Sequence, residues 1–175
     1  MQLRQSAVRN VTCGENVVIY EPANLYDCTL GDNVFVGPFV EIQGNTQIGA
    51  DSKIQSHTFI CEYVTLGARC FIGHGVMFAN DMFREGKPNA DRESWGRIVI
   101  GNDVSIGSGA TILAVSICDG VVIGAGSVQC AAALGMDAFV GWRPETRLNW
   151  KPRTSSLILP LMDAASLRKP ASVRP

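Results

Sequence analysis

The six cysteines contain no CxxC pair, only two histidines occur in 175 residues, and lysine and arginine do not outnumber aspartate and glutamate. Each shortage excludes something. Without paired cysteine spacing, a disulfide framework or a cysteine-ligated zinc site is not expected, and the cysteines read as small apolar side chains. A net charge of −1 leaves no basic face for nucleic acid. No apolar run approaches the roughly 20 residues of a membrane span, so no membrane partner is expected. Met1 to Asn10 is polar and carries Arg4 and Arg9. That stretch does not read as a signal peptide, and the expected location is cytoplasmic. Charged residues are also few, at 18% against 46% hydrophobic, which excludes a disordered polar chain.

What the sequence has is a period of six. Every sixth residue from 30 is large and apolar: Leu30, Val36, Ile42, Ile48, Ile54, Ile60, Leu66, Ile72 and Phe78. Four residues after each of the first eight comes a small or β-branched one: Val34, Val40, Thr46, Ser52, Thr58, Val64, Cys70 and Val76. The pattern breaks after Phe78, resumes at Ile100, Ile106 and Ile112, slips by one to Ile117 and continues at Ile123. Neither a helix nor an alternating strand has this period. It suits a coil of three short strands, with two inward residues per six and Gly, Asn or Asp supplying the turns. One such coil cannot bury its own apolar face, so the coils must stack into a long array. Val11, Val17 and Leu25 are the expected inward residues of a looser first coil.

These hexads resemble those of the hexapeptide-repeat acyltransferase superfamily. The resemblance implies an all-β fold, a left-handed parallel β-helix or hexapeptide-repeat solenoid, with one protruding loop and an irregular C-terminal tail. The hand comes from the family and departs from the usual right-handed crossover. The expected organisation is a β-helix domain over 1–128, with a loop at 81–97, and an atypical tail or cap over 129–175. Eight of the seventeen loop residues are charged, which no hexad can hold, so the loop must leave the prism. In the superfamily a loop here reaches over a neighbouring subunit, and relatives are trimers, so a homotrimer is expected.

Three segments sharpen the resemblance: Asn33-Val34-Phe35-Val36-Gly37-Pro38, Lys53-Ile54-Gln55-Ser56, and the run from Phe71 through His74 and Asn80 to Asp81. They are similar to enzymes that acetylate a nucleotide-linked 3-amino sugar for bacterial surface polysaccharide (O-antigen, lipopolysaccharide) biosynthesis. The enzyme acting on UDP-2-acetamido-3-amino-2,3-dideoxy-glucuronate matches best. The implied partners are acetyl-CoA as co-substrate and a UDP-linked amino sugar.

Acylating an amine requires a neutral nucleophile, a place for its proton and donors for the developing oxyanion. Hexad numbering puts His57 and His74 at the same corner of adjacent coils, and Asn80 at the following corner with Glu62 one coil below. His57 is the first choice as proton acceptor or acceptor-binding group, and His74 the second. Asn80 matches a position that contacts the reacting groups in the resembling enzymes; an amide can orient or donate but cannot act as a base. In those relatives the coenzyme sulfur has been viewed as the final proton acceptor. Glu41, Asp81 and Arg84 are candidates to meet the sugar. Ile106 to Leu113 and Ile123 to Val128 match coils that line the pantetheine groove, with Ser108, Ala125 and Gly126 as the coenzyme-binding candidates.

The match weakens after Val128. Ala131 stands where the family often has a phosphate-binding Lys, and Val140 to Pro144 echoes the later family segment poorly. A short helix over Ala164 to Arg168 is a further expectation. Three other functions remain open. O-acetyl transfer to a sugar or small hydroxyl acceptor would need a histidine base. A non-catalytic β-solenoid scaffold would need no coenzyme. A zinc carbonic anhydrase on this prism would need three histidine ligands, and the chain has two, so no metal is expected.

Overall fold

The computed structural model describes residues 7–83 and 86–130, together with the backbone of Phe139–Val140. The expectations for Arg84, Ala131, the segment after Val140 and the helix over 164–168 lie outside the described residues.

The chain winds as a left-handed parallel β-helix of about seven coils. Three parallel sheets form its faces. Face A stacks Val8–Arg9, Asn24–Tyr26, Glu41–Ile42, Phe59–Ile60, Met77–Phe78, Thr111–Ile112 and Val128–Gln129. Face B stacks Thr12–Cys13, Thr29–Leu30, Gln47–Ile48, Val64–Leu66, Ile98–Ile100 and Ser116–Ile117. Face C stacks Val18–Ile19, Phe35–Val36, Lys53–Ile54, Phe71–Ile72, Ser105–Ile106, Val122–Ile123 and Phe139–Val140. Face C therefore continues past residue 128, as Phe139 and Val140 pair with Val122 and Ile123.

The strands are two or three residues long because each must turn a corner after burying one large side chain. In register, Leu30 lies over Ile48 and Val36 over Ile54, so like residues stack along the axis. All nine large residues from Leu30 to Phe78 are buried, as are Ile98, Ile100, Ile106, Ile112, Ile117 and Ile123. Each contributes about 1.5–3 kcal/mol of burial. The small partners are buried too, and the hydroxyls among them are satisfied: Thr46, Ser52 and Thr58 donate to the carbonyls of Cys61, Gly67 and Gly73. Val11 and Val17 are half-buried and Leu25 fully buried, as expected for the first coil. The last inward place on face A is held by Gln129, which is buried over Ile112.

Corner length separates the three edges. From face B to C the inward residues are always six apart, as in Leu30 to Val36 and Ile117 to Ile123. From C to A they are also always six apart, as in Ile54 to Ile60 and Ile106 to Ile112. From A to B the spacing varies: five from Leu25 to Leu30, six from Ile42 to Ile48, twenty-two from Phe78 to Ile100, and five from Ile112 to Ile117. Both the charged insertion and the one-residue slip thus belong to the AB corner.

Candidate functional site

Constant spacing at the CA corner lines up residues from successive coils. One column runs Pro38, Ser56, His74, Ser108, Ala125, and the column beside it runs Phe39, His57, Gly75, Gly109, Gly126. The backbone bonds fix this order: His57 N donates to Pro38 O, Gly75 N to Ser56 O, Gly109 N to His74 O, and Gly126 N to Ser108 O. Five of the nine expected site residues, His57, His74, Ser108, Ala125 and Gly126, therefore share one corner and all are exposed.

His74 is held from two sides. Its Nδ1 lies 2.9 Å from Ser56 Oγ, one coil below, and its backbone N–H donates to Ser108 Oγ at 3.2 Å, one coil above. When Nδ1–H donates to the serine oxygen, Nε2 carries the lone pair, the tautomer a proton acceptor needs. His57 is held differently. Its ring stacks on Phe39, with centroids 4.8 Å apart and planes 28° apart.

Above His74 the corner narrows to backbone. At Gly109 and Gly126, with φ of 69° and 68°, a Cβ would meet nothing within 4 Å, so the backbone faces open space. Gly107 is the opposite case, since a Cβ there would collide with the Ala125 backbone. Ser108, Gly109, Ala125 and Gly126 thus make an exposed shelf of small residues.

Of the other expected residues, Glu41 stands just past this corner, two residues after Phe39, while Asn80 and Asp81 lie at the next one. Glu41 sits on face A, in register with Phe59 and Asn24, and accepts a hydrogen bond from Gln43 Nε2 at 2.9 Å. Asn80 and Asp81 open the AB loop. Asn80 is buried; its Nδ2 donates to the carbonyl of Glu62 at 2.9 Å, and its own carbonyl accepts from Gly96 N. Asp81 caps the loop from within, accepting from the backbone N–H of Phe83 and of Asn89. The segment from His57 to Glu62, which holds the strand Phe59–Ile60, joins the two corners in this coil and spans at most about 16 Å at ~3.3 Å per residue. The histidines and Asn80 therefore occupy opposite edges of face A.

Spacing alone did not reveal the polar cluster at the loop. Buried Glu62 pairs with Arg92 at 3.2 Å, and Arg92 lies over the Trp95 ring. Burial, with the charges of Glu41 and Glu62 nearby, raises the Tyr26 hydroxyl above its ordinary pKa. Trp95, singled out in the loop, donates from Nε1 to the Asn89 carbonyl. Buried thiols are poor candidates for chemistry: burial pushes Cys28 up to about 11 and Cys61 up to about 12, so both stay protonated at neutral pH. Among the described residues no group of three His, Cys, Asp or Glu side chains could hold a metal, and no helix is long and apolar enough to cross a membrane.

Known proteins share this architecture. The family model described as bacterial transferase hexapeptide (six repeats) matches residues 27–62, and that of the hexapeptide repeat of succinyl-transferase matches 97–128. The bifunctional protein GlmU of Acinetobacter baylyi is 36% identical over 125 residues, covering 70% of this chain and 25% of its own length. The chain spans a quarter to a third of the curated relatives it matches. Among solved structures, PerB of Caulobacter crescentus, in complex with CoA and GDP-perosamine, superposes with a TM-score of 0.60 at 23% identity, covering 73% of this chain and 55% of that one. A point mutant of AntD, an N-acyltransferase from Bacillus cereus in complex with dTDP and coenzyme A, gives 0.64 at 23% identity, covering 74% and 78%. At that identity the likeness carries the fold. With the repeat models matching on both sides of the loop and the hexads stacked as described, the chain is built of hexapeptide repeats like those of bacterial transferases.

Proposed function

We propose that this protein is an acetyl-CoA-dependent N-acetyltransferase whose acceptor is an amino sugar linked to a nucleoside diphosphate. The observation that carries the reading is the CA corner, where an oriented imidazole, His74 on Ser56, lies directly below an open shelf of Ser108, Gly109, Ala125 and Gly126. Pantetheine laid along that shelf brings the thioester next to Nε2 of His74. The family's coenzyme-binding positions and the relatives solved with CoA and nucleotide sugars support the same assignment.

The reaction needs little more than positioning. The amine lone pair attacks the thioester carbonyl, the tetrahedral intermediate collapses, and the carbon–sulfur bond breaks. The amine proton passes to His74 Nε2 and from there to the leaving sulfur, so no net proton is lost. This ranks His74 as base and His57, stacked on Phe39, as an acceptor-binding residue. Asn80 takes a positioning role, since one of its two amide N–H bonds is committed to the Glu62 carbonyl. Glu41, Asp81 and Arg84 remain proposed sugar contacts. The position of Asp81, across face A from the histidines, fits a site completed by a neighbouring copy, as in a homotrimer. The segments around Phe71 to Asp81 favour a UDP-linked 3-amino sugar destined for surface polysaccharide, handled in the cytoplasm.

The test is release of free thiol from acetyl-CoA against a panel of amino and hydroxy sugars linked to uridine, guanosine or thymidine diphosphate. Thiol release with amino sugars alone is expected. Release with hydroxy sugars would assign O-acetyl transfer, and silence with no acetyl-CoA binding by calorimetry would leave a scaffold.

A further inference from the structure

At the CA corner, from the coil of Val36 upward, the third residue of the turn has a left-handed backbone. Three coils place glycine there: Gly75, Gly109 and Gly126, with φ of 64°, 69° and 68°. The two coils below place bulky residues instead, Phe39 at 61° and His57 at 64°. A phenylalanine avoids this region more than a histidine does, and strain of this kind clusters at functional sites. Two other bulky residues in the solenoid share the conformation, and each has a partner within the chain: Tyr63 lies under Arg97, and Arg69 forms a two-point ion pair with Asp103. Among the described residues, the rings of Phe39 and His57 pair with each other. Core packing does not explain them, because a side chain at this place points outward: the Cβ positions of Gly75, Gly109 and Gly126 meet nothing within 4 Å, and Phe39 is 58% exposed.

The column is therefore two stacked rings followed by a gap. His57 has one face against Phe39, and the place above it, where Gly75 has no side chain, is open. His74 precedes Gly75 in the chain and borders that same space. One coil higher begins the small-residue shelf.

We infer that Phe39 and His57 form the floor of the acceptor site, with the apolar face of a pyranose ring lying on His57 in the space left by Gly75. This rests on the acyl-transfer reading. Sugar rings present a face of C–H bonds that suits an aromatic surface, and a ring seated there has its substituents beside His74 and below the shelf. Phe39 touches no substrate; it is a positioning residue that fixes the plane of His57.

The experiment is steady-state kinetics on Phe39→Gly, Phe39→Tyr and Gly75→Asn, with the acceptor found by the thiol assay and with acetyl-CoA varied separately. Phe39→Gly suits the backbone, so its melting temperature should equal or exceed that of the wild type. Its acceptor KM should rise about tenfold, with acetyl-CoA KM changed less than about twofold. Phe39→Tyr keeps the ring and should restore the acceptor KM. Gly75→Asn tolerates the left-handed backbone but fills the space, and should also raise the acceptor KM. An unchanged acceptor KM in Phe39→Gly, in an enzyme that does acylate amino sugars, would overturn the inference alone. So would a change of oligomeric state by light scattering with acceptor KM intact, which would assign the stack to contact between copies. A wild type that acylates no amino sugar would overturn the functional reading, and the inference with it.

Discussion

The AB and CA corners are edges of one solenoid, made by the same hexads, yet they hold residues together in different ways. At the CA corner the count never varies, so columns of side chains run straight along the axis, and Ser56, His74 and Ser108 meet although the 81–97 loop separates the last two in sequence. At the AB corner the count is five, six or twenty-two, columns break, and contacts form between loop and prism: Arg92 with Glu62, Gly96 with Asn80. The BC corner is as regular as CA but closed on itself. Asn16 donates to Asn33, Asn33 to Asp51, and Arg69 pairs with Asp103, whose carboxyl that guanidinium holds below its ordinary pKa. Regularity aligns residues, and a corner with open space beside its glycines leaves them available. Only CA combines the two.

The contrast is broken most severely by changing corner length. Deleting Gly109 at the CA corner shifts the register of everything after it and turns inward residues such as Ile112 and Ile123 outward. At about 1.5–3 kcal/mol for each, the losses rival a typical total stability of ~5–15 kcal/mol, and no cooperative melt should remain. Deleting Gly44 at the AB corner only converts a six-residue corner into the five-residue form seen from Leu25 to Leu30, with Asn45 taking the left-handed place of Asp27. That should cost about 1 kcal/mol. Thermal melts of the two deletions decide it, and equal damage would mean that AB is no more tolerant than CA.

Next in size is the loss of the proposed base. His74→Ala should lower kcat by about 10²–10⁴, the usual worth of a positioned acid–base group. Ser56→Ala, which frees the imidazole to rotate, should lower it by about tenfold. Turnover that survives His74→Ala but not His57→Ala would restore His57 as the proton acceptor.

How far the sequence could be read follows the same division. Period-six spacing predicts the inward residues from Leu30 to Ile123, because each buried place is occupied by one recurring residue type. It also predicts that His57 and His74 share a corner, since eighteen residues make one full coil there. The stack of Phe39 on His57 was within reach of that arithmetic, as 39 and 57 differ by eighteen, but an apolar residue in a hexad does not announce that its backbone is left-handed and its ring exposed. The ion pair of Glu62 and Arg92 was not legible at all. Once the chain leaves the prism no period ties a loop position to a coil, and only the folded loop shows which cation reaches the buried carboxylate.

Asn80→Ala sharpens the comparison at the loop's root. Its loss leaves the buried Glu62 carbonyl without the amide donor, which should cost about 1–3 kcal/mol. Turnover measured below the melting transition should fall much less than in His74→Ala. A fall as large as that of His74→Ala, at unchanged melting temperature, would place the chemistry at the AB corner.

The smallest expected effect is that of Arg92→Ala. The two sides of this ion pair differ in exposure: the Arg92 side chain is 67% exposed, while that of Glu62 is 7%. A pair with so exposed a partner is screened, and removing the arginine also uncovers Glu62 to water instead of stranding a dry charge. The global loss should therefore stay near 1 kcal/mol or below. The local effect should be larger, because Arg92 is the one side chain of the described loop that forms an ion pair with the prism. Cleavage at the Glu93–Ser94 bond by a glutamate-specific protease reports local opening rather than global unfolding. It should speed up severalfold in Arg92→Ala at nearly constant melting temperature, and raising salt should bring the wild type toward the same rate, since screening weakens the pair without mutation. Equal cleavage rates in wild type and variant, at any salt, would show that the loop is held by its hydrogen bonds, Gly96 to Asn80 and Asn89 to Asp81, and that the charge pair contributes nothing to closing it.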